Sequence, residues 1–351
     1  MSRRALVVRL DSMGDVILAG PAVRAVAETP GIDALWMLCG PEGAAAAALL
    51  PGVDRVITWS CPWIVNSPGA ITDQHIDRLR GQLTEFRADE AVILTSFHQS
   101  PLPLALILRL AGIERISGVS VDYAGSLLDV RLRPGEDLDE ELPEALRALA
   151  IVRAAGFAIG ASEQERLRLV PTPDVSHLVL PGPYVVVHPG ASAPSRRWPA
   201  PLAAAAVRAL TEDGLRVIVT GSTAERSLTA EVAGTDGLDL GGSLELPQLA
   251  SVLAGASVVI AGNTGPAHLA AAVGTPVVSL FSPVVSPTRW APWGVPSVVL
   301  GDQDAACRNS RARECPIPGH PCLASIGVDQ VVEACHLLLG ERSRVGAEAA
   351  V

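Results

Sequence analysis

The segment Gly-Asn-Thr-Gly-Pro-Ala-His, residues 262–268, decides the fold of the second half of this chain, because it joins a strand pattern to a helix pattern. It follows the apolar run 257–260 and opens the small-residue run 267–273. Glycine permits a sharp turn, and Pro266 suits the first turn of a helix. Free amides at a helix N-terminus favour an anionic oxygen. Taken alone, the segment fits a phosphate-bearing ligand and an ordinary strand-to-helix turn equally well.

The composition indicates a globular protein of two domains. The chain has 351 residues, 49% of them hydrophobic and 18% charged, and this length exceeds a typical single core. A net charge of −10 argues against nonspecific nucleic-acid binding. All 27 basic residues are arginine, which excludes Schiff-base chemistry on lysine.

The sequence carries no pattern of secretion or of a membrane span. Residues 1–9 lack the long apolar core of a signal peptide, and the longest apolar tract, residues 102–108, is too short to cross a bilayer. We therefore expect a cytoplasmic protein whose contact with the inner face of the cell membrane is at most peripheral. We also expect a monomer.

Strand and helix signals alternate in both halves of the chain, which predicts parallel sheets with helices on both faces. The proline-rich stretch 171–183 is the predicted linker between a domain at 1–175 and a domain at 184–340, and 341–351 is a predicted flexible tail. The expected architecture is α/β, with two doubly wound domains facing a cleft. The predicted strands are 5–10, 34–38, 91–95, 184–187, 216–220, 257–261 and 276–281, and the predicted helices are 15–28, 101–111, 142–155, 201–212, 223–233, 247–254 and 266–273.

Ligands of such sheets bind beyond the carboxyl ends of the strands, so the loops after strands are the candidate ligand sites. No G-x-G-x-x-G follows the first strand and no G-x-x-x-x-G-K-[ST] occurs, so dinucleotide oxidoreductases and P-loop NTPases lose their main support. Asp15, after the first strand, is either a helix-start aspartate or a general base.

Four loops of the second half combine glycine with polar or basic groups. Two adjacent arginines could clamp a pyrophosphate, and a glutamate near a helix start could accept hydrogen bonds from ribose hydroxyls. The alternative is a solvated charge pair and an ordinary first-turn glutamate. The candidate donor-binding residues are His188, Arg196, Arg197, Gly221, Glu225, Asn263, Thr264, Gly265 and His268.

The order of these motifs resembles glycosyltransferase family 9, the ADP-heptose:lipopolysaccharide heptosyltransferases. The resemblance runs from Arg9 to about Ala334 and rests on R-L-D-S-M-G-D, H-P-G-A followed by R-R-W-P, G-S-x-x-E, and G-N-T-G-P-A-H-L-A-A-A-x-G-T-P. It implies the GT-B fold of two Rossmann-like domains. It also implies an inverting, metal-independent transfer, with an ADP-sugar as donor and a glycan or glycolipid as acceptor.

The resemblance assigns roles to individual residues. Asp15 matches the family's catalytic aspartate, which deprotonates the acceptor hydroxyl, while Thr264 and Gly265 hold the leaving pyrophosphate. Arg196 stands where members commonly carry lysine, and Asn263 stands where they usually carry aspartate. The acceptor half matches more loosely, and its candidate contacts are Arg9, Ser12, Gly14, Ser96 and His98.

Other hypotheses stay open on the sequence. A nucleotide-sugar epimerase of similar shape would need no acceptor, and a catalytically silent relative would only bind nucleotide sugar or glycan. Cys307, Cys315 and Cys322 lie near His320 and could hold structural zinc, but the spacing lacks a C-x2-C pair. We therefore expect no cofactor and a loop without metal.

Overall fold

The computed structural model describes residues 3–96, 98–157, 160, 165–179 and 181–348, with side chains up to residue 341. The chain divides into two compact units, Met1–Val170 and Pro171–Val351. Within the described ranges, no helix combines the length and the apolar character that crossing a bilayer would need.

The first unit is a six-stranded parallel sheet in the order β3-β2-β1-β4-β5-β6, with helices between the strands. Its strands are β1 Arg3–Arg9, β2 Ile32–Cys39, β3 Arg55–Thr58, β4 Glu90–Ile93, β5 Arg115–Val119 and β6 Val130–Leu132. Its helices are α1 Met13–Leu18, α2 Gly20–Ala27, α3 Ala44–Ala47, α4 Asp73–Phe86, α5 Leu102–Leu110 and α6 Glu144–Ala154.

The central strand β1 explains why this sheet is covered on both faces. Ala5, Leu6, Val7 and Val8 are each at most 1% exposed, as expected for a parallel strand with helices on either side. The helix predicted over 15–28 is instead two helices, because Pro21 stands in the first turn of α2 and has no N–H to continue a helical ladder.

The second unit is also a six-stranded parallel sheet, in the order β12-β11-β10-β7-β8-β9. Its strands are β7 Val185–His188, β8 Val217–Val219, β9 Leu238–Asp239, β10 Val258–Gly262, β11 Val277–Leu280 and β12 Ser297–Leu300. Its helices are α7 Ala200–Glu212, α8 Arg226–Ala233, α9 Leu246–Gly255, α10 Gly265–Ala272, α11 Pro287–Trp290, α12 Pro321–Ala324 and α13 Val328–Glu348, with 3-10 turns at Pro194–Arg196 and Thr223–Glu225.

Helix α13 runs into the tail predicted at 341–351, of which residues 349–351 lie outside the described residues. The described part of the predicted linker, residues 171–179 and 181–183, contains neither helix nor strand.

The two sheets share one topology. Counted within its own unit, each sheet places its strands in the order third, second, first, fourth, fifth, sixth. Chain direction along the sheet therefore reverses between β1 and β4 in the first unit and between β7 and β10 in the second. In doubly wound sheets, ligands bind in the crevice outside the carboxyl ends of the strands at this switch point. The predicted doubly wound α/β class is confirmed.

Candidate active site

The loop after β1 fixes Asp15 at the switch point of the first sheet. Ser12 precedes α1 with an extended backbone, and its hydroxyl makes no cap to the helix. Instead, Ser12 Oγ donates to Asp15 Oδ2 at 2.8 Å. The Asp15 side chain is 19% exposed, and Gly14 is buried beside it in the first turn. The predicted base is therefore oriented by its neighbours and still open to solvent.

Arg9, at the end of β1, is buried beneath this carboxylate. Its Nη2 lies 3.0 Å from Asp15 Oδ1, its Nη1 lies 3.4 Å from Glu144 Oε2, and its Nε lies 2.9 Å from Asp11 Oδ2. Nη2 also donates to Ser96 Oγ at 3.0 Å. The sequence suggested Arg9 as an acceptor contact, but the structure directs its guanidinium to three carboxylates.

The loop after β4 completes this group. Ser96 N–H donates to Gln99 Oε1 at 3.1 Å, and Gln99 Nε2 donates to Asp11 Oδ1. Burial raises the pKa of Asp11 to about 6, although Arg9 and the Gln99 hydrogen bond act in the opposite direction. Two of the predicted acceptor contacts therefore lie in this hydrogen-bonded group. Ser12 bonds to Asp15 directly, and Ser96 bonds to Arg9.

A cavity of about 260 Å³ opens beside this loop, large enough for part of a sugar. His98, the remaining predicted acceptor contact, is exposed and lies on its wall. Its other polar lining comes from loops and helices of the same unit: Thr95, Gln99, Ser100, Ser120, Asp122 and Arg147.

In the second unit, His188 ends β7 at the switch point and is buried. Its Nδ1 lies 3.0 Å from Oγ1 of Thr220, which directly follows β8. Burial lowers the pKa of His188 to about 4, outweighing the opposite effect of Glu225. A neutral imidazole is therefore the form present at neutral pH.

Glu225 is held against the backbone of the neighbouring loop. Its Oε2 accepts hydrogen bonds from Ser222 N–H at 2.9 Å and from Ser222 Oγ at 2.8 Å. Partial burial raises the pKa of Glu225, but these hydrogen bonds and the nearby His188 and Arg197 bring it below its ordinary value. A Cβ at Gly190 would lie 2.1 Å from Glu225 Oε1, so only glycine permits this approach. The Glu225 carboxylate is ionised and faces the loop after β7.

Gly221 has a similar packing requirement, since its Cβ would lie 2.5 Å from Thr229 Cγ2 of α8. It therefore lets the loop after β8 pass close to that helix.

The two neighbouring arginines diverge. Arg196 Nη1 donates to the carbonyl of Asn263 at 3.3 Å, while Arg197 Nε donates to the carbonyl of Ala191 at 2.8 Å. A Cβ at Gly262 would lie 2.7 Å from the Arg196 carbonyl, so this glycine lets the Arg196 turn approach β10. Arg196 thus reaches the loop that opens α10, and Arg197 stays with the loop after β7.

Thr264 precedes α10 with an extended backbone and no side-chain cap. Its Oγ1 is buried and has no hydrogen-bond partner among the described residues. Pro266 has no N–H, and the Ala267 N–H donates to the Thr264 carbonyl at 3.1 Å, so Gly265 supplies the amide at this point. His268 is buried one turn further. A helix N-terminus with a hydroxyl of this kind is suited to bind anionic oxygens.

Asn263 faces the neighbouring loop. Its Nδ2 donates to the Ser282 carbonyl and its Oδ1 accepts from the Ser282 N–H, both at 3.4 Å. An ionised aspartate has no donor for that carbonyl. The Asn263 amide therefore bonds to both backbone groups of Ser282, which lies after β11.

In the segment 307–322, the cysteines and His320 are buried or bonded to backbone carbonyls. Cys307 and Cys322 are buried, Cys315 Sγ donates to the Ile317 carbonyl at 3.3 Å, and His320 Nε2 lies 2.9 Å from the Ser195 carbonyl. Nowhere in the described ranges do three or more His, Cys, Asp or Glu side chains come together to hold a metal.

Comparison with known proteins identifies the family. The profile of glycosyltransferase family 9 (heptosyltransferase) matches residues 141–320. Lipopolysaccharide heptosyltransferase 1 of Pseudomonas aeruginosa is 30% identical over 325 residues, which cover 89% of this chain and 87% of that protein. The chain belongs to glycosyltransferase family 9.

Solved structures agree on the fold. E. coli ADP-heptose lipopolysaccharide heptosyltransferase II superposes with a TM-score of 0.72 at 21% identity, covering 97% of this chain and 99% of that one. E. coli heptosyltransferase WaaC with ADP-2-deoxy-2-fluoro heptose gives a TM-score of 0.68 at 20% identity, covering 94% and 98%. The expected GT-B fold is confirmed, and the protein is a glycosyltransferase.

Three polar residues of the first-unit site are not among the predicted site residues: Asp11, Gln99 and Glu144. Asp11 stands within the R-L-D-S-M-G-D motif, which could have drawn attention to it. Glu144 has no such signal, because it is 135 positions from Arg9 and resembles any glutamate at a helix start.

Proposed function

We propose that this protein transfers heptose from ADP-heptose to a hydroxyl of a lipopolysaccharide acceptor, with inversion at the anomeric carbon and without a metal. The named relatives support the donor and the acceptor. Two of them are lipopolysaccharide heptosyltransferases, and the heptosyltransferase WaaC is solved with ADP-2-deoxy-2-fluoro heptose. The single observation that carries the site assignment is the buried, unpartnered Thr264 hydroxyl at the start of α10.

The diphosphate of the donor would lie at this helix start. The Thr264 hydroxyl, the Gly265 amide at the start of α10 and the Arg196 guanidinium would supply the hydrogen-bond donors. Negative charge grows on the diphosphate as the bond to the sugar breaks, so fixed donors aimed there lower the barrier. An arginine and a helix amide would stabilise this negative charge in place of a divalent cation. The Glu225 carboxylate would accept hydrogen bonds from the ribose.

Asp15 would act as the general base. Its carboxylate takes the proton of the acceptor hydroxyl as that oxygen bonds to the anomeric carbon, and the bond to ADP breaks with its electron pair leaving on the diphosphate. One displacement inverts the configuration. The cavity beside His98 and Gln99 would hold the acceptor sugar that carries this hydroxyl.

Transfer to lipopolysaccharide tests the proposal. Purified protein is incubated with ADP-heptose and heptose-free lipopolysaccharide, and mass spectrometry is expected to show the gain of one heptose, unchanged by EDTA. P. aeruginosa heptosyltransferase 1 serves as the positive control. If that enzyme extends the acceptor and this protein does not, the proposed donor and acceptor pair is wrong.

Protection against heat tests the nucleotide separately. We expect ADP to raise the melting temperature more than UDP or GDP at equal concentration, because binding to the folded state stabilises it in proportion to affinity. Equal protection by all three would contradict the adenine assignment.

A further inference from the structure

The Arg9 group contains three carboxylates, and that of Asp15 is the most exposed. The side chain of Asp15 is 19% exposed, against 10% for Asp11 and 2% for Glu144. The three are joined by one planar guanidinium, whose nitrogens each lie within 3.4 Å of a different carboxylate. A planar fork fixes the relative directions of the groups that it binds.

The two deeper carboxylates, Asp11 and Glu144, balance the charge of Arg9. When Asp15 takes a proton it becomes neutral, and a buried arginine paired with Asp15 alone would be left uncompensated. Such a buried, unpaired charge is strongly destabilising. With Glu144 and Asp11 also on Arg9, the guanidinium stays paired throughout. Carboxylates that lie close together oppose each other's ionisation, so removing the Glu144 charge is expected to favour the charged form of Asp15.

Glu144 is the more informative of the two. It opens α6, is 2% exposed, and reaches Arg9 from 135 positions along the chain. Its Oε1 is buried and meets no donor in the described part of the chain. An ordinary first-turn glutamate is solvated near the helix start, so the burial of Glu144 needs another cause.

Two arginines of the helices packed beside α1 direct their hydrogen bonds elsewhere, to backbone carbonyls. Among the described residues, the helices that pack most extensively against α1 are α2, α3 and α6. Helix α3 is four alanines, Arg24 of α2 donates to the Arg166 carbonyl, and Arg147 of α6 donates to the Thr95 carbonyl. The charges that act on Arg9 are those of Asp11, Asp15 and Glu144.

We propose that Glu144 is a positioning residue for the transfer. Through Arg9 it holds the Asp15 carboxylate in place, and it keeps Arg9 paired when Asp15 accepts the proton of the acceptor hydroxyl. The catalytic consequence rests on the proposed function, whereas the electrostatic link between Glu144 and Asp15 does not.

Titration of Asp15 tests that link without any substrate. Protein labelled with [4-13C]aspartate gives carboxyl NMR signals, and Asp15→Asn identifies the signal of Asp15. Glu144→Gln keeps the size of the side chain and removes its charge, so we expect the Asp15 midpoint to fall by about one pH unit. Because the cluster titrates as a coupled group, the Asp11 signal is followed in the same spectra.

Glu90→Gln is the matched control. Glu90 is a second buried glutamate paired with an arginine, at 2.9 Å from Arg3 Nη1, but it begins β4 at the amino edge of the sheet. This variant is expected to leave the Asp15 midpoint unchanged. Glu144→Asp draws the charge back by one methylene and is expected to shift the midpoint in the same direction by less. It decides the matter if Glu144→Gln does not fold.

Activity supplies the second readout. With ADP-heptose and heptose-free lipopolysaccharide, Glu144→Gln is expected to lower kcat about 10-fold, to leave the donor KM unchanged, and to move the acid limb of kcat/KM to lower pH. An unchanged Asp15 midpoint in both Glu144 variants would overturn the inference. Absence of heptose transfer by the wild type would overturn the proposed function instead, while the titration still decides the role of Glu144.

Discussion

The carboxyl edges of the two sheets have the same strand order and opposite chemistry. At the β1/β4 switch point, three carboxylates surround one arginine, and Asp15 is the most exposed of them. At the β7/β10 switch point lie three hydrogen-bond donors: the Thr264 hydroxyl, the Gly265 amide and the Arg196 guanidinium. In such sheets the fold sets the edge at which a ligand binds, and the loop residues set the chemistry available at that edge.

The largest effect is expected from removing the proton acceptor of the first edge. Asp15→Asn keeps the shape of the side chain and its contact with Ser12, but an amide cannot take the acceptor proton. We expect kcat to fall about 10²- to 10⁴-fold, measured by heptose transfer.

Asp73→Asn is the control for this variant, because Asp73 also stands in the first turn of a helix, α4, and is exposed. It is expected to transfer at the wild-type rate. Full activity of Asp15→Asn would mean that another group is the base.

A smaller effect is expected at the second edge. Thr264→Val removes the hydroxyl and keeps the branched shape, so the donor KM is expected to rise roughly 10-fold, since a hydrogen bond to a charged group is lost. Thr211→Val is the control, because Thr211 Oγ1 donates to the Val207 carbonyl within α7. An unchanged KM in Thr264→Val would remove this hydroxyl from the donor site.

The smallest effects concern stability, and the two edges should respond to acid with opposite signs. Burial holds the pKa of His188 near 4, below its ordinary 6.5, so the folded protein binds fewer protons than the unfolded chain between these values. The stability that neutral His188 provides is complete above pH 6.5 and is lost as the pH falls toward 4.

Asp11 behaves in the reverse manner. Burial raises its pKa from 3.8 to about 6, so the cost of its buried charge is present above pH 6 and is relieved as the pH falls toward 3.8. Melting temperatures of His188→Gln and Asp11→Asn, each subtracted from the wild type between pH 4 and 7.5, are expected to slope in opposite directions. Slopes of the same sign would contradict the difference between the edges.

The sequence predicted most of the sheet framework. The apolar runs at β1, β7 and β10 and the glycine turn before α10 lie where their patterns placed them. Elements without a strong apolar pattern were not predicted. Helix α4 is largely polar and buries only Leu79, Leu83 and Phe86, and β12 alternates between half-buried and exposed residues.

The site was predictable only where its residues follow one another in the chain. Ser12, Gly14 and Asp15 stand in one motif, and so do Asn263, Thr264 and Gly265. The burial of Arg9 and its contact with Glu144 depend on how α6 packs beside β1, which no local pattern specifies. For the same reason, the amide of Asn263 meeting the backbone of Ser282 became visible only in the fold.

Binding of ADP to a crossed pair of variants tests the separation of the two edges most directly. Calorimetric titration is expected to give wild-type affinity for Asp15→Asn and at least roughly 10-fold weaker binding for Arg196→Met, since a charge-assisted hydrogen bond is lost. Arg216→Met is the control, because Arg216 also donates to backbone carbonyls, those of Gly182 and Pro183, before β8. Loss of ADP affinity in Asp15→Asn, or its retention in Arg196→Met, would contradict the assignment of the nucleotide to the second edge.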